Sequence, residues 1–555
     1  MKSRIKTVTR VFFSLLVVDL IVVGLLHTIL NKPAVIDASG AYDTTVNYTE
    51  ERIEKLMKRQ HLPSVAVALI DDQDVVWHKV FGMADVENQI PGTADTVYRM
   101  WSVAKVFTAI EVMRLVEEGL IDLDAPLVTY LPDFSIQDRF PDGEPITIRS
   151  ILSHQAGLPR NGCAWLLSSP QDEGVLREIS ESVRFCTTAD PVGERYKYSN
   201  LGPQLLGQLI ETVRGVPFAD YIQESVLKPV GMDSSAFLAA QLPPQSHLAR
   251  GYTYEKRTYH ALPQEDITGL PSGNLYATLA DMTAFVRFIL NAGEAGGTQL
   301  IKPETLTMMF EDQYPNPRDP QPMGLGWKIA HVLDGELMIW HDGGPDEGTG
   351  ALVAMLPERD LGVVLISNST SFGGNISSVL AVDIFESMLA EKFDVVSDQK
   401  KVVDTVEIDP ANYASYTGPY IVYGQKLDVV NRRKKLLMPV FGLKLELLPV
   451  GTDRFVLKHW LIELGILDWF GLPVSLKEVE VIFAPADDAH EAVMILNIAG
   501  LSYEVCPRYP VMTEVPAIWH ELVGTYALSV RAPNGQPADD VFSHDSIWID
   551  DKVLQ

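Results

Sequence analysis

The sequence predicts an α+β protein with an N-terminal membrane-spanning helix and a C-terminal all-β module. Three observations lead there. Strand patterns at 65–70 and 75–80 return at 350–356 and 362–367, with helical periodicity between them, so distant segments complete one sheet. A twenty-residue, mostly apolar run follows a basic N-terminus. From about residue 404, short alternating runs separated by turn residues replace the helical patterns.

The chain has 555 residues and a net charge of −28. That acidity excludes an electrostatic nucleic-acid binder, which needs a basic face to displace phosphate counterions. Apolar residues at 46% and charged residues at 21% exclude a mainly disordered chain.

Residues 1–10 form a basic tail carrying Lys2, Arg4, Lys6 and Arg10 with no acid. Residues 11–30 are apolar apart from Ser14, Asp19, His27 and Thr28. As a helix they span roughly 30 Å, the thickness of a bilayer's hydrocarbon core. The basic flank stays cytoplasmic, which sends the bulk of the chain to the exported face. This reads as a single-pass signal anchor followed by a tether at 31–45. The alternative is secretion after signal-peptide cleavage, for which Ser39-Gly40-Ala41 offers a site.

Residues 46–395 read as one α+β domain. The runs at 65–70 and 75–80 flank Asp71-Asp72-Gln73-Asp74, a hairpin signature. An amphipathic helix opens at Ser102, with Val106, Phe107, Ile110, Met113, Leu115, Val116 and Leu120 near 3.6 spacing and Gly119 close to its end. Further helices are predicted at 148–152, 201–213, 218–226 and 279–290.

A linker at 396–408 leads to a β-barrel-like module at 409–510. Its strands are predicted at 427–430, 436–438, 443–447, 454–457, 479–483 and 492–496, and Arg432-Arg433-Lys434-Lys435 reads as a solvated hairpin tip. Residues 511–555 are a partial repeat or a closing segment, because Tyr416-Thr417-Gly418-Pro419-Tyr420 resembles Leu522-Val523-Gly524-Thr525-Tyr526. The three cysteines make no disulfide framework. Cys163 and Cys186 pair or stay as buried thiols, and sequence leaves both readings open. No Cys/His cluster has metal-ligand spacing, so no metal and no cofactor is expected.

The chemistry starts at Ser-x-x-Lys. Residues three apart share a helix face, so the amine stands beside the hydroxyl. A serine alcohol is a poor nucleophile until a base takes its proton, and lysine is such a base only when its pKa is lowered. The chain holds four matches, at Ser3, Ser102, Ser225 and Ser397, and only Ser102–Lys105 opens a long helix. Two further motifs follow in order: Tyr198-Ser199-Asn200 and His341-Asp342-Gly343-Gly344. Tyrosine supplies a phenol for proton transfer, and glycines let backbone approach substrate closely.

With these motifs the chain resembles the serine β-lactamase and penicillin-binding-protein superfamily, in its class C β-lactamase-like esterase and peptidase branch. Leu152-Ser153-His154-Gln155-Ala156-Gly157-Leu158-Pro159, Tyr198-Ser199-Asn200-Leu201-Gly202, Gly273-Asn274-Leu275-Tyr276-Ala277-Thr278 and Gly324-Leu325-Gly326-Trp327 resemble segments of that family. The resemblance covers about 46–393. It implies a β-lactamase-like fold, with an antiparallel sheet flanked by helices plus an all-helical region, and a lipocalin-like C-terminal module.

The resemblance also implies roles. Ser102 attacks a carbonyl and becomes acylated, Lys105 activates it, and Tyr198 relays the proton. Asn200 orients Lys105 and substrate, His341 and Gly343 line the substrate site, and the N–H groups of Ser102 and Gly344 form an oxyanion hole. One departure stands out. Many family members carry Lys-Thr-Gly or Lys-Ser-Gly where this chain has His341-Asp342-Gly343. Histidine is mostly neutral at pH 7 and offers no permanent cation, which argues against strong β-lactam hydrolysis. His154, Trp101 and Trp327 read as packing residues.

The expectation is a membrane-anchored serine hydrolase. It cleaves a small ester, amide or peptide substrate through an acyl-enzyme on Ser102. A D-peptidase, penicillin-binding protein or weak β-lactamase acting on cell-wall peptides is the alternative. A non-catalytic peptide- or lipid-binding sensor is the alternative of another class. The sequence does not reach the oligomeric state.

Overall fold

The alternation at 65–70 and 75–80 becomes β1 (Ser64–Asp71) and β2 (Asp74–Asp85), paired antiparallel with Val67 opposite Lys79. The structure is a computed structural model. It describes residues 42–161, 174–263, 265–316, 321–344, 348–395, 405–422, 425–440, 443–463, 476–484, 486, 492–508, 524–527, 544–547, 549–550 and 553–554. The predicted span at 11–30 lies outside them, as does Cys163. Among the described residues no helix is long and apolar enough to cross a membrane.

The chain forms two compact units. In the first, a helix α1 (Asp43–Gln60) precedes the β1–β2 hairpin, and β3 (Ile90–Pro91) and β4 (Thr96–Trp101) follow it. Four helices then carry much of the middle of the unit. They are α2 (Ala104–Glu117), α3 (Ile148–Leu152), α4 (Leu201–Arg214) and the short α5 (Leu270–Gly273). After β5 (Leu275–Thr278) and α6 (Leu279–Leu290) come β6 (Lys328–Val332), β7 (Glu336–Gly343), β8 (Gly350–Leu356) and β9 (Leu361–Ser367), and α7 (Asn375–Phe393) ends the unit.

The main sheet runs β6-β7-β8-β9-β1-β2-β3, so the two distant strand groups join where β9 pairs antiparallel with β1. Every residue of β1 but Asp71 is buried. Ala66, Ala68 and Ile70 face a core built with α2 and α6, while the alternate residues are buried too, on the side where α1 and α7 pack. Burial on both faces is the pattern of a central strand covered by helices.

The helix expected to open at Ser102 begins at Ala104, and it is not amphipathic in its setting. Residues 104–113 are all buried, as is Leu115. A helix enclosed by sheet and helices has no solvent stripe to present. Its one buried acid, Glu111, is matched by Arg114 (2.8 Å), Arg214 (3.1 Å) and the Tyr221 hydroxyl (2.8 Å). The helix expected at 218–226 changes character at Gln223, where a π-helical turn takes over.

Glu391 near the end of α7 reaches the start of α1. Its carboxylate accepts from the backbone N–H of Thr45 (2.9 Å) and from the Thr45 hydroxyl (2.7 Å). It thereby satisfies an orphan donor of that helix end. Asp71 at the end of β1 also accepts from Tyr42 (2.7 Å) and Lys392 (2.5 Å).

The second unit is all-β. Strands β10 (Gly418–Val422), β11 (Gln425–Arg432), β12 (Lys435–Val440), β13 (Leu443–Gly451), β14 (Arg454–Lys458), β15 (Val479–Ala484), β16 (Val493–Ile498) and β17 (Leu501–Pro507) pair in chain order. A bridge between Tyr420 and Arg508 joins the first strand to the residue after the last, nearly closing a barrel. Its interior holds Tyr416, Tyr420, Phe455 and Phe483, with ring centroids 5.1–5.7 Å apart. Arg433 and Lys434 form the exposed tip between β11 and β12. Both have positive φ (52° and 62°), as a tight hairpin turn requires.

Candidate active site

Ser102 sits in the turn between β4 and α2, partly exposed. The residue before it, Trp101, has φ +48°, an uncommon value for a non-glycine residue. Two hydrogen bonds fix that turn. Trp101 Nε1 donates to Thr349 Oγ1 (2.7 Å), and Thr349 Oγ1 donates to the Arg99 carbonyl (2.9 Å). Trp101 is thus more than filler, since its indole pins the chain next to Ser102.

One turn into α2, Lys105 is 3% exposed. Its Nζ lies 3.0 Å from Ser102 Oγ and 2.6 Å from the Ser272 carbonyl oxygen on α5. Thr108, one turn further on, donates to the Pro271 carbonyl (2.8 Å) and holds α5 against α2. Burial pushes the Lys105 amine well below its ordinary 10.5, and the charges of Arg160 and Lys328 push the same way against Asp342. These effects favour the unprotonated amine, the form that can accept a proton.

Tyr198 lies just before α4. Its ring centroid is 5.0 Å from Lys105 Nζ and 5.4 Å from the Arg160 guanidinium carbon. Burial raises its phenol above the ordinary 10, and a hydrogen bond with the Ser102 side chain opposes that rise. The serine, lysine and tyrosine side chains therefore converge. His154 supports the tyrosine. Its ring packs 4.6 Å from that of Tyr198, and its Nδ1 accepts from the Ser199 N–H (3.2 Å). Burial, then the charge of Lys105, push this imidazole well below 6.5, so it is neutral.

Asn200 caps α4 beside this group. Its amide donates to Asn161 Oδ1 (2.9 Å) and its N–H to the Arg160 carbonyl (2.6 Å). The side chain is engaged with the loop after α3 rather than with Lys105.

The end of β7 forms the opposite wall. Gly343 lies so close to the nucleophile's turn that an added Cβ would stand 2.0 Å from the Met100 carbonyl oxygen and 3.0 Å from the Ser102 nitrogen. Gly344 follows with φ +94°, where a side chain is strained. These glycines bring the end of β7 against the backbone of Ser102. His341 is 1% exposed, and its Nδ1 lies 2.8 Å from the Asp342 carbonyl oxygen. A carbonyl only accepts, so Nδ1 carries the proton. Burial pushes this imidazole down to about 3.

Sequence reasoning missed the partner of Asp342. Lys328 on β6 pairs with its Oδ1 at 2.5 Å and lies 4.4 Å from the Trp340 ring centroid. Burial pushes the Asp342 carboxyl up, but Lys328 and His341 outweigh it and hold it below 3.8. The signal was present only in the register, which sets Lys328 opposite Trp340. Arg160, Thr108 and the Ser272 carbonyl were likewise missed, since no local pattern marks them.

Ser3 and Ser397 lie outside the described residues, and Lys228 pairs with Glu224. Among the described residues no cluster of His, Cys, Asp and Glu could hold a metal ion.

The family model described as Beta-lactamase matches residues 49–377. The chain is 28% identical over 366 residues to the Unguisins hydrolase ungD' of Aspergillus campestris, covering 63% of this chain and 66% of that protein, just under two thirds. It is 24% identical over 444 residues to Penicillin-binding protein 4* of Bacillus subtilis, covering 74% and 94%. The octameric penicillin-binding protein homologue from Pyrococcus abyssi shares the fold, with a TM-score of 0.56 at 23% identity, covering 83% of this chain and 99% of that one.

Proposed function

Because the chain belongs to the β-lactamase family, we propose that it is a serine hydrolase that cleaves an ester or amide through an acyl-enzyme on Ser102. One observation carries the reading: a buried lysine amine 3.0 Å from a serine hydroxyl at the mouth of a helix. Lys105, unprotonated, accepts the Ser102 proton as Oγ attacks the substrate carbonyl carbon. The N–H groups of Ser102 and Gly344 receive the developing oxyanion, and losing one such donor typically costs about 2.7–4 kcal/mol. The tetrahedral species collapses with the bond to the leaving group breaking, and the proton reaches that group through Tyr198. Water then attacks the acyl-serine and regenerates the hydroxyl. Among the relatives, the unguisins hydrolases bear the printed name of a hydrolase, which supports the reaction class.

A second reading, a D-peptidase or penicillin-binding protein, draws on the likeness to Penicillin-binding protein 4*. The pairing of Lys328 with Asp342 weighs against it, because that wall then offers no uncommitted cation to a substrate carboxylate. We further propose that residues 11–30 anchor the chain in a membrane, with the hydrolase unit on the exported face. The basic tail and the length of the apolar run support this. Resistance of the full chain to alkaline extraction tests it.

The acyl-enzyme is tested directly. A fluorophosphonate should label the protein at Ser102, located by peptide mass spectrometry, and Ser102→Ala should abolish the label. Full labelling of Ser102→Ala would refute the reading.

A further inference from the structure

Two cations act on Lys105 from different sides of the cleft, Lys328 on the sheet edge and Arg160 on the helical wall. Lys328 is paired with Asp342 at 2.5 Å. Arg160 is different. It is exposed, and among the described residues no carboxylate stands within ion-pairing distance of it. Its guanidinium carbon lies 5.4 Å from the Tyr198 ring centroid, so the group is held over a residue of the proposed site. Its backbone is fixed as well. The Arg160 carbonyl accepts from the N–H groups of Asn200 (2.6 Å) and Leu201 (3.3 Å), and the neighbouring Asn161 binds the Asn200 side chain.

An exposed planar guanidinium on a fixed backbone, with no carboxylate partner among the described residues, can take a carboxylate in two parallel hydrogen bonds. We propose that Arg160 is a specificity-determining residue that binds a carboxylate group of the substrate on the helical wall of the cleft. The proposal rests on the acyl-enzyme reading and adds to it a substrate class, anionic esters or amides. It also moves the anion subsite away from β7. There His341 is neutral and the Asp342 carboxylate repels a second one.

The test compares matched esters that differ only by a carboxylate. One pair is p-nitrophenyl hexanoate and the mono-p-nitrophenyl ester of adipic acid, with the charge on the acyl chain. The other is phenyl hexanoate and 3-carboxyphenyl hexanoate, with the charge on the leaving group. For each pair the ratio of kcat/KM, anionic over neutral, is measured in the full chain. Arg160→Gln should lower that ratio about tenfold or more in at least one pair. Arg160→Lys should restore part of it, since it keeps the charge but not the fork. Lys197→Gln removes an exposed charge one residue before Tyr198 and should move neither ratio by more than about twofold, as expected for a screened surface charge.

A ratio unchanged by Arg160→Gln in both pairs would overturn the proposal, as would a wild-type protein that turns over neither anionic ester. Loss of activity equally on charged and neutral partners would also overturn it, because Arg160 would then act through Tyr198. The acyl-enzyme reading fails separately, if Ser102→Ala still hydrolyses the neutral esters.

Discussion

An added Cβ on Gly343 would stand 3.0 Å from the backbone nitrogen of Ser102, so a strand edge and a nucleophile's turn touch at a point where only hydrogen fits. The same Cβ would lie 2.0 Å from the Met100 carbonyl oxygen, so the strand must withdraw if a side chain is introduced. Gly343→Ala should therefore carry Gly344 away from Ser102 and cost the site one oxyanion donor. The expected loss in acylation rate is about 10²–10³-fold. Stopped-flow acylation by an activated ester measures it, alongside near-UV circular dichroism to confirm the fold.

Lys105 sets the acid limb of the reaction. Burial lowers its pKa, so the unprotonated amine is present well below pH 10.5. The kcat/KM profile for a neutral ester should fall as pH drops through the lowered value, because protonation removes the base. A limb centred near 10.5 would contradict the role. Arg160→Gln removes a charge that disfavours the protonated amine, and so should move this limb to higher pH. Lys105→Ala should reduce acylation by about 10²–10⁴-fold across the profile.

The Lys328–Asp342 pair governs the sheet-edge wall. Asp342→Asn would leave Lys328 as an uncommitted cation beside the site. Labelling by a fluorescent penicillin, read by gel fluorescence, should increase relative to wild type. The pair also shapes acid stability. The Asp342 carboxyl is held below 3.8 in the fold, so its contribution is present above that pH and is lost as pH falls through the lowered value. Asp342→Asn should lose about 1–3 kcal/mol at pH 7 in urea unfolding, and the gap to wild type should narrow in acid.

Glu111 is fully buried and holds two arginines. Removing it takes the carboxylate from Arg114 and leaves Arg214 with Glu118 alone. Glu111→Ala should destabilise the first unit by about 1–3 kcal/mol in urea unfolding. The retained fraction of folded protein should still label at Ser102, since no bond links Glu111 to the proposed site.

Much of this arrangement was legible because it is written in short-range patterns. Ser102 and Lys105 sit one helical turn apart, and the hairpin of β1 and β2 is announced by alternation around Asp71-Asp72-Gln73-Asp74. Burial of β1 on both faces was not legible, since its small and branched residues read equally well as a half-exposed strand. The enclosure of α2 was hidden for a similar reason. Its apolar residues follow helical spacing, but the closing of Thr108 and Lys105 against α5 depends on a contact 163 residues away. Lys328 and Arg160 were missed because charge partners across strands and loops leave no mark at either position.

The bond from Glu391 to Thr45 makes the two ends of the first unit one clasp. A fragment cut after Thr45 leaves a carboxylate with no helix end to hold, and one cut before Glu391 leaves that helix end bare. The limits of this unit are therefore not independent choices. Trimming either terminus loosens the other, and a circularly permuted chain that links residue 395 to residue 42 would begin with its two ends already side by side.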